Sequence, residues 1–135
     1  MPIPSVGYAF ICEGIRREIN NKLNVLGFFG VLPDVNVAVG ELGKNVVLMF
    51  VVGLRGPSDE VTMKAEVVNP DGTPLISSDE IAFPGITGTD GGVAGFAFAP
   101  IIFSHVGLHY LRVFINGKQA YKEPFLVRVG VIPNP

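Results

Sequence analysis

The chain predicts an all-β fold, a single antiparallel β-sandwich of about seven or eight strands occupying residues 1–135 as one domain. Three observations carry that prediction. Short apolar runs recur between Gly, Pro, Asn and Asp turn signals, and no stretch shows a sustained helical period. Val61 to Val67 alternates strictly, with Val61, Met63, Ala65 and Val67 on one face and Thr62, Lys64 and Glu66 on the other. Asn116-Gly117 separates two apolar runs between Gly107 and Val129, and these residue types best tolerate the two positive φ angles of a type I′ hairpin turn.

Tyr8 to Cys12 reads as a first strand and Leu23 to Val31 as a second. The charged segment between them reads as a hairpin turning at Asn20-Asn21, because Asn tolerates the left-handed region. One helical turn over Arg16 to Ile19 is the alternative there. Leu32-Pro33-Asp34 and Gly40 to Asn45 punctuate a loop or edge segment. Val46 to Leu54 is rich in β-branched residues and only about half as long as the ~20 residues of a membrane-crossing helix, so it reads as a central strand. After the alternating strand, Asn69-Pro70-Asp71-Gly72 makes a turn with Pro where its φ is pre-set, leading to a return strand over Leu75 to Phe83. Pro84 to Gly95 reads as a glycine-rich loop, and Val93 to Phe103 resumes a strand pattern broken by Pro100.

In the last hairpin a two-residue turn pairs Ile115 with Lys118, Val113 with Ala120 and Leu111 with Lys122. His109, Leu111, Val113 and Ile115 form the inward row. A bulge near Lys122 to Pro124 is expected, since Pro124 donates nothing to the ladder; it returns Phe125, Val127 and Val129 to the core face. Tyr110, Arg112, Phe114 and Tyr121 then make an aromatic outer face, with Arg112 lying on Tyr121.

Composition narrows the function classes. Charged residues make up 16% of the chain against an average near ~25%, while 48% is hydrophobic. The mean hydropathy of +0.45 describes a greasy, lightly charged protein whose surface is expected to be covered in part by another subunit or partner. Ten basic and twelve acidic residues with no basic stripe argue against nucleic acid as a partner. No apolar run is long enough for a membrane helix, and the opening Met1-Pro2-Ile3-Pro4 lacks the basic start of a signal peptide. The single cysteine, Cys12, excludes an intrachain disulfide and fits a reducing compartment, so the expected location is the cytoplasm.

Candidate chemistry is sparse. His105 and His109 stand about 13 Å apart on an extended chain, too far to share a metal, and both read as structural. Cys12 lies in a hydrophobic strand without an activating neighbour and reads as a buried, inert thiol. No Gly-x-Ser-x-Gly elbow is present. The loop Pro84 to Gly95 resembles a phosphate cradle in glycine content alone, and Thr87, Thr89 and Asp90 lack the spaced carboxylates of a calcium loop. The pairs Asp59-Glu60 and Asp79-Glu80 read as solvated turns, with acid-base use contingent on their convergence. No catalytic residue, metal or cofactor is therefore expected. More suggestive is Gly91 to Leu111, which holds no Asp, Glu, Lys or Arg but contains Phe96, Phe98, Ile101, Ile102 and Phe103. A subunit interface on its second face is expected, the alternative being a fully covered central strand.

Two stretches carry a resemblance. Tyr8-Ala-Phe-Ile-Cys-Glu-Gly-Ile-Arg-Arg-Glu18 followed by Lys22-Leu-Asn-Val-Leu-Gly-Phe-Phe29 resembles the start of a family of small uncharacterised bacterial β-sandwich proteins. Gly107-Leu-His-Tyr-Leu-Arg-Val-Phe-Ile-Asn-Gly-Lys118 and Pro124-Phe-Leu-Val-Arg-Val129 are similar to the last hairpin of immunoglobulin-like domains. The chain departs from the latter in having no Trp, no Cys pair, and His109 where Tyr is frequent. The resemblance implies an immunoglobulin-like fold and brings no catalytic residue.

The expected protein is non-enzymatic and acts through protein contacts, as a homo-oligomer or within a bacterial or phage-related assembly. Tyr110, Arg112, Phe114, Tyr121, Phe96 and Phe98 are the expected contact residues. A small-ligand or carbohydrate-binding module using residues 84–95 is one alternative, and an enzyme using the acidic turns is the other.

Overall fold

In a computed structural model, which describes residues 3–18, 23–87 and 91–130, the chain is all-β, with twelve strands and no helix among those residues. The strands are β1 (Ser5–Cys12), β2 (Gly14–Arg17), β3 (Leu23–Leu26), β4 (Gly30–Val31), β5 (Asn36–Val39), β6 (Asn45–Arg55), β7 (Val61–Val68), β8 (Pro74–Ser77), β9 (Ile81–Phe83), β10 (Gly92–Ile102), β11 (Gly107–Ile115) and β12 (Lys118–Val129). They form three sheets instead of the simple pair expected. A first sheet has the order β10-β6-β1-β4, and a second has the order β5-β12-β11-β7-β8, with β9 also pairing β7. β2 and β3 make a separate two-stranded ribbon.

The extra strands come from breaks within runs that read as continuous. Leu23 to Val31 is divided by Gly27, whose φ of 61° suits glycine and turns the chain between β3 and β4. Leu75 to Phe83 is divided at Ser78, which leaves the strand line: Ala65 N donates to Ser78 Oγ at 2.9 Å, and Ser78 N donates to the Ala65 carbonyl at 2.8 Å. Gly14–Arg17 forms a ribbon strand in place of the start of the alternative helical turn, with Gly14 opposite Leu26, and Ile19 lies outside the described residues. The expected turn at Asn20-Asn21 lies outside the described residues.

The first and second sheets share one core. Leu48, Phe50, Val52 and Leu54 from β6 meet Met63, Ala65 and Val67 from β7 and Leu111, Val113 and Ile115 from β11. The rings of Phe50 and Phe125 bridge the two sheets with centroids 5.6 Å apart. Val46 to Leu54 is central as expected, flanked by β10 and β1. Every inward residue of the alternating strand is buried, at 2% exposure or less for Val61, Met63, Ala65 and Val67. Asn36 to Val39 closes the far side of the second sheet by pairing parallel with Leu126 to Val129 of β12.

The Asn116-Gly117 turn has φ of 51° and 79°, the expected double positive, and His109, Leu111, Val113 and Ile115 are all buried. The bulge falls elsewhere. Phe114 opposes Gln119 and Val113 opposes Tyr121, so Ala120 is the extra residue, and pairing from Tyr121 through Val127 is regular. The bulge at Ala120 turns Lys122 outward, opposite Arg112, and sets Tyr121 and Glu123 on the row that continues into Phe125 and Val127. Phe125 and Val127 are fully buried as expected, but Val129 at the strand end is exposed.

Candidate functional site

The first sheet has an unusual outer face. Among its four strands the one charged residue is Arg55, at the end of β6. Strand alternation sends Ala9 and Ile11, Leu48, Phe50, Val52 and Leu54, and Ala94, Phe96 and Phe98 into the core. The intervening residues therefore form the outer surface: Tyr8, Phe10 and Cys12 from β1, Val47, Met49, Val51 and Gly53 from β6, and Val93, Gly95, Ala97 and Ala99 from β10. Both faces of these strands are apolar, so the sheet lacks the polar outer side of an ordinary solvated antiparallel sheet.

Two glycines let side chains lie flat on this face. A methyl built on Gly53 would fall within the Tyr8 ring, and one on Gly95 would meet Met49 Cε. The aromatic row continues outward: the Tyr8 and Phe10 rings stack with centroids 6.3 Å apart and an interplanar angle of 6°, and Phe28 tilts against Phe10 at 5.6 Å. Ile15 of the ribbon reaches to within 3.7 Å of the Cβ position at Gly95, which lies opposite Val51, and both Val51 and Cys12 are buried, so the ribbon of β2 and β3 lies against the middle of the face. Apolar residues to either side of that middle stay open. Tyr8 is 43% exposed, Val47 53%, Val31 50% and Phe28 58%, and Ala97 and Ala99 are exposed beside them.

The second sheet's outer face differs. Arg112 Nη1 donates to Glu66 Oε1 at 3.0 Å and Arg112 Nε donates to Gln119 Oε1 at 2.8 Å. Phe114 is flanked by cations, with the Arg112 guanidinium carbon 4.8 Å and Lys64 Nζ 5.6 Å from the ring centre. Lys122 Nζ lies 4.8 Å from the centre of the Tyr110 ring. The chain's own charged side chains thus occupy these aromatic faces.

Of the six expected contact residues, Tyr110, Arg112 and Phe114 do share this second face and are partly buried. Tyr121 does not join them. The bulge at Ala120 turns it toward the core, where burial, with Glu123 adding to it, pushes its hydroxyl up to about 12. The expected stacking of Arg112 on Tyr121 is replaced by Arg112 on Phe114. Phe96 and Phe98 are corrected to core residues, 3% and 4% exposed, because β10 turns them toward Phe50 and leaves small residues on its second face. The residues that sequence reasoning passed over are Tyr8, Phe10, Val47 and Met49. Their signal was present: Tyr8 to Cys12 and Val46 to Leu54 are apolar at odd and even positions alike.

The other candidates keep to themselves. His109 is fully buried between Phe103 and Phe125; its Nδ1–H donates to the Gly107 carbonyl at 3.0 Å and its Nε2 has no partner among the described residues. His105 bonds its Nδ1 with the neighbouring Ser104 hydroxyl at 3.0 Å. Burial pushes the Cys12 thiol up, as an unreactive cysteine requires. No group of three or more His, Cys, Asp or Glu side chains able to hold a metal occurs among the described residues. A cavity of about 260 Å³ opens beside Phe83, Ile86 and Thr87, where the glycine-rich loop begins. Thr89 and Asp90 of that loop lie outside the described residues. No helix among the described residues is long and apolar enough to cross a membrane, which leaves strand-built membrane proteins unaddressed.

No protein-family model matches the chain, and no curated protein sequence matches it. Among solved structures, the chain is similar to an immunoglobulin-like protein of Pseudomonas aeruginosa, at 18% identity and a TM-score of 0.36, over 95% of this chain and 94% of that one. It is also similar to the alkylpurine DNA glycosylase AlkC of Pseudomonas fluorescens bound to abasic-site DNA, at 13% identity and a TM-score of 0.45 over 72% of this chain. The chain spans 28% of the glycosylase's length. Likeness at this level carries no argument about activity.

Proposed function

We propose that this protein is a non-catalytic, immunoglobulin-like β-sandwich domain of the cytoplasm that works through protein contacts, as a homo-oligomer or within a larger assembly. The observation that carries the reading is the outer face of the first sheet, where Tyr8, Phe10, Phe28 and Val31 form an apolar cluster and Val47 is exposed farther along, on strands whose one charged residue is Arg55. Soluble monomers rarely leave large apolar side chains clustered in this way open to water, and covering them supplies the driving force for association. The expected contact surface thereby moves from the cation-capped face of β11 and β12 to the opposite side of the molecule. Sedimentation across the micromolar range tests the reading: a mass above the 14.4 kDa of one chain is expected. A monomer at every concentration removes self-association, and failure of the same face to crosslink to any protein in a native extract removes the wider reading.

The cavity beside Phe83, Ile86 and Thr87 supports a second reading, the small-ligand or carbohydrate module. Its volume is slightly below the roughly 300–1,000 Å³ of ordinary ligand sites. An amide chemical-shift titration with mono- and disaccharides tests it, and shifts confined to Gly85 to Thr87 are the positive result.

A further inference from the structure

We propose that a second copy of this chain pairs with the free edge of β10, strand against strand and antiparallel, joining two first sheets into one continuous sheet. This rests on the protein-contact reading and specifies its geometry. An edge strand exposes a row of N–H and C=O groups that only another strand satisfies in full, and folded proteins blunt such edges by shortness, charge, proline or cover.

The other edges here are blunted or short: β4 covers only Phe10 and Ile11 of β1, leaving the four residues Ser5 to Tyr8 with no strand on that side among the described residues, where the β1 register shifts between Val6 and Tyr8. β4 has two residues and β5 has four, while β8 and β9 have four and three and are separated by a break containing Asp79 and Glu80. β10 is different. It runs for eleven residues, pairs with β6 alone among the described strands, and contains no charged side chain. Its proline and its register shift both fall between Phe98 and Ile101, so they protect only the last part of the strand. Among the described residues, Gly92 to Phe98 is left as an open template. Phe96 and Phe98, buried in the core, hold that template in place.

Self-pairing is the match this edge chemistry selects. About a two-fold axis each N–H···O=C contact is repeated by symmetry, and no like charges are brought opposite each other. With no charged side chain, the strand has nothing to select a particular foreign sequence. Its outward side chains, Val93, Gly95 and Ala97, are small, so the apolar outer faces of the two copies merge without a ridge between them.

Two exposed positions on the same face separate edge pairing from face-to-face stacking: Ala97 on β10 and Val31 on β4, at opposite edges of the sheet. In sedimentation the native protein is expected to have twice the mass of one chain. Ala97→Lys is expected to weaken the dimer by at least about tenfold by setting two ammonium groups near the axis, with Val31→Lys leaving it intact. Hydrogen exchange of the native protein, which needs no variant, is expected to show protection of Gly92 to Phe98 amides that grows with protein concentration. Self-association without that protection, or broken by Val31→Lys and not by Ala97→Lys, overturns edge pairing and leaves the contact module standing. A native protein that is monomeric throughout overturns edge pairing together with self-association.

Discussion

Arg112 and Glu66 sit directly opposite each other on β11 and β7, their side chains joined at 3.0 Å while the same guanidinium lies 4.8 Å from the centre of the Phe114 ring. The ion pair and the aromatic contact use different parts of one flat group: its N–H edge meets the carboxylate and its face meets the ring. The second sheet's outer side is therefore closed by internal contacts.

Glu66→Gln is expected to lower stability by about 1 kcal/mol, measured by urea unfolding, because the pair is only partly shielded from water. The mass in solution should not change. A loss of association with stability intact would return the contact surface to Tyr110, Arg112 and Phe114.

Tyr8 and Gly53 offer a sharper structural test. Gly53→Ala places a methyl where the Tyr8 ring rests, and a cost of about 1–3 kcal/mol is expected from the forced displacement. In the double variant with Tyr8→Ala most of that cost should vanish, since the obstacle is the ring itself. Additive losses would show that Gly53 is needed for another reason.

His109 makes stability depend on pH in a defined direction. Burial lowers its affinity for a proton below the ordinary value of 6.5, outweighing the opposite effect of its hydrogen bond to Gly107. The unfolded chain then binds the proton more readily, so this contribution is complete above pH 6.5 and is lost as pH falls toward the lowered value. Unfolding measured from pH 7 downward should show a slope of up to roughly 1.4 kcal/mol per pH unit from this one group. His109→Leu should flatten the slope. Asp71, whose carboxyl is held low by hydrogen bonds from Thr73, acts at more acidic pH.

Asn116 does more than turn the hairpin. Its Oδ1 accepts a hydrogen bond from Thr62 N at 3.0 Å, and its own N–H donates to the Thr62 carbonyl at 2.9 Å, fastening the turn to β7. Asn116→Gly keeps the positive φ and loses the side-chain bond, for an expected cost of about 1 kcal/mol. Asn116→Ala loses both and should cost about 1 kcal/mol more. Equal costs for the two would mean that the backbone angle contributes nothing.

Local patterns made much of this fold legible. Strict alternation placed Val61, Met63, Ala65 and Val67 in the core, and Asn-Gly placed the last turn, because each signal is contained within a few neighbouring residues. The bulge was harder. Its existence follows from the parity of Phe125 and Val127, but its position is set in the assembled sheet, where Tyr121 and Glu123 share the row of Phe125. The division of Leu75 to Phe83 depends on bonds from Ser78 to Ala65, thirteen positions away. The candidate contact face was legible only in part: two-sided apolar strands announce that both faces are covered, and say nothing of whether the cover belongs to the same chain. Phe96 and Phe98 show the difficulty, since an uncharged strand with large and small residues alternating reads the same whichever side faces the core.

One pairing described above also governs when the fold can be completed. β5 lies parallel to β12, with Asn36 opposite Leu126, so an early segment waits for one of the last to find its place. Contacts this distant along the chain are slow to form, because the loop must close before the pairing stabilises it. During synthesis the apolar run of β6 emerges well before β12 is available to finish the opposing sheet. That interval is when this protein is most open to mispairing, and its vulnerability in a cell is one of timing as much as of final stability.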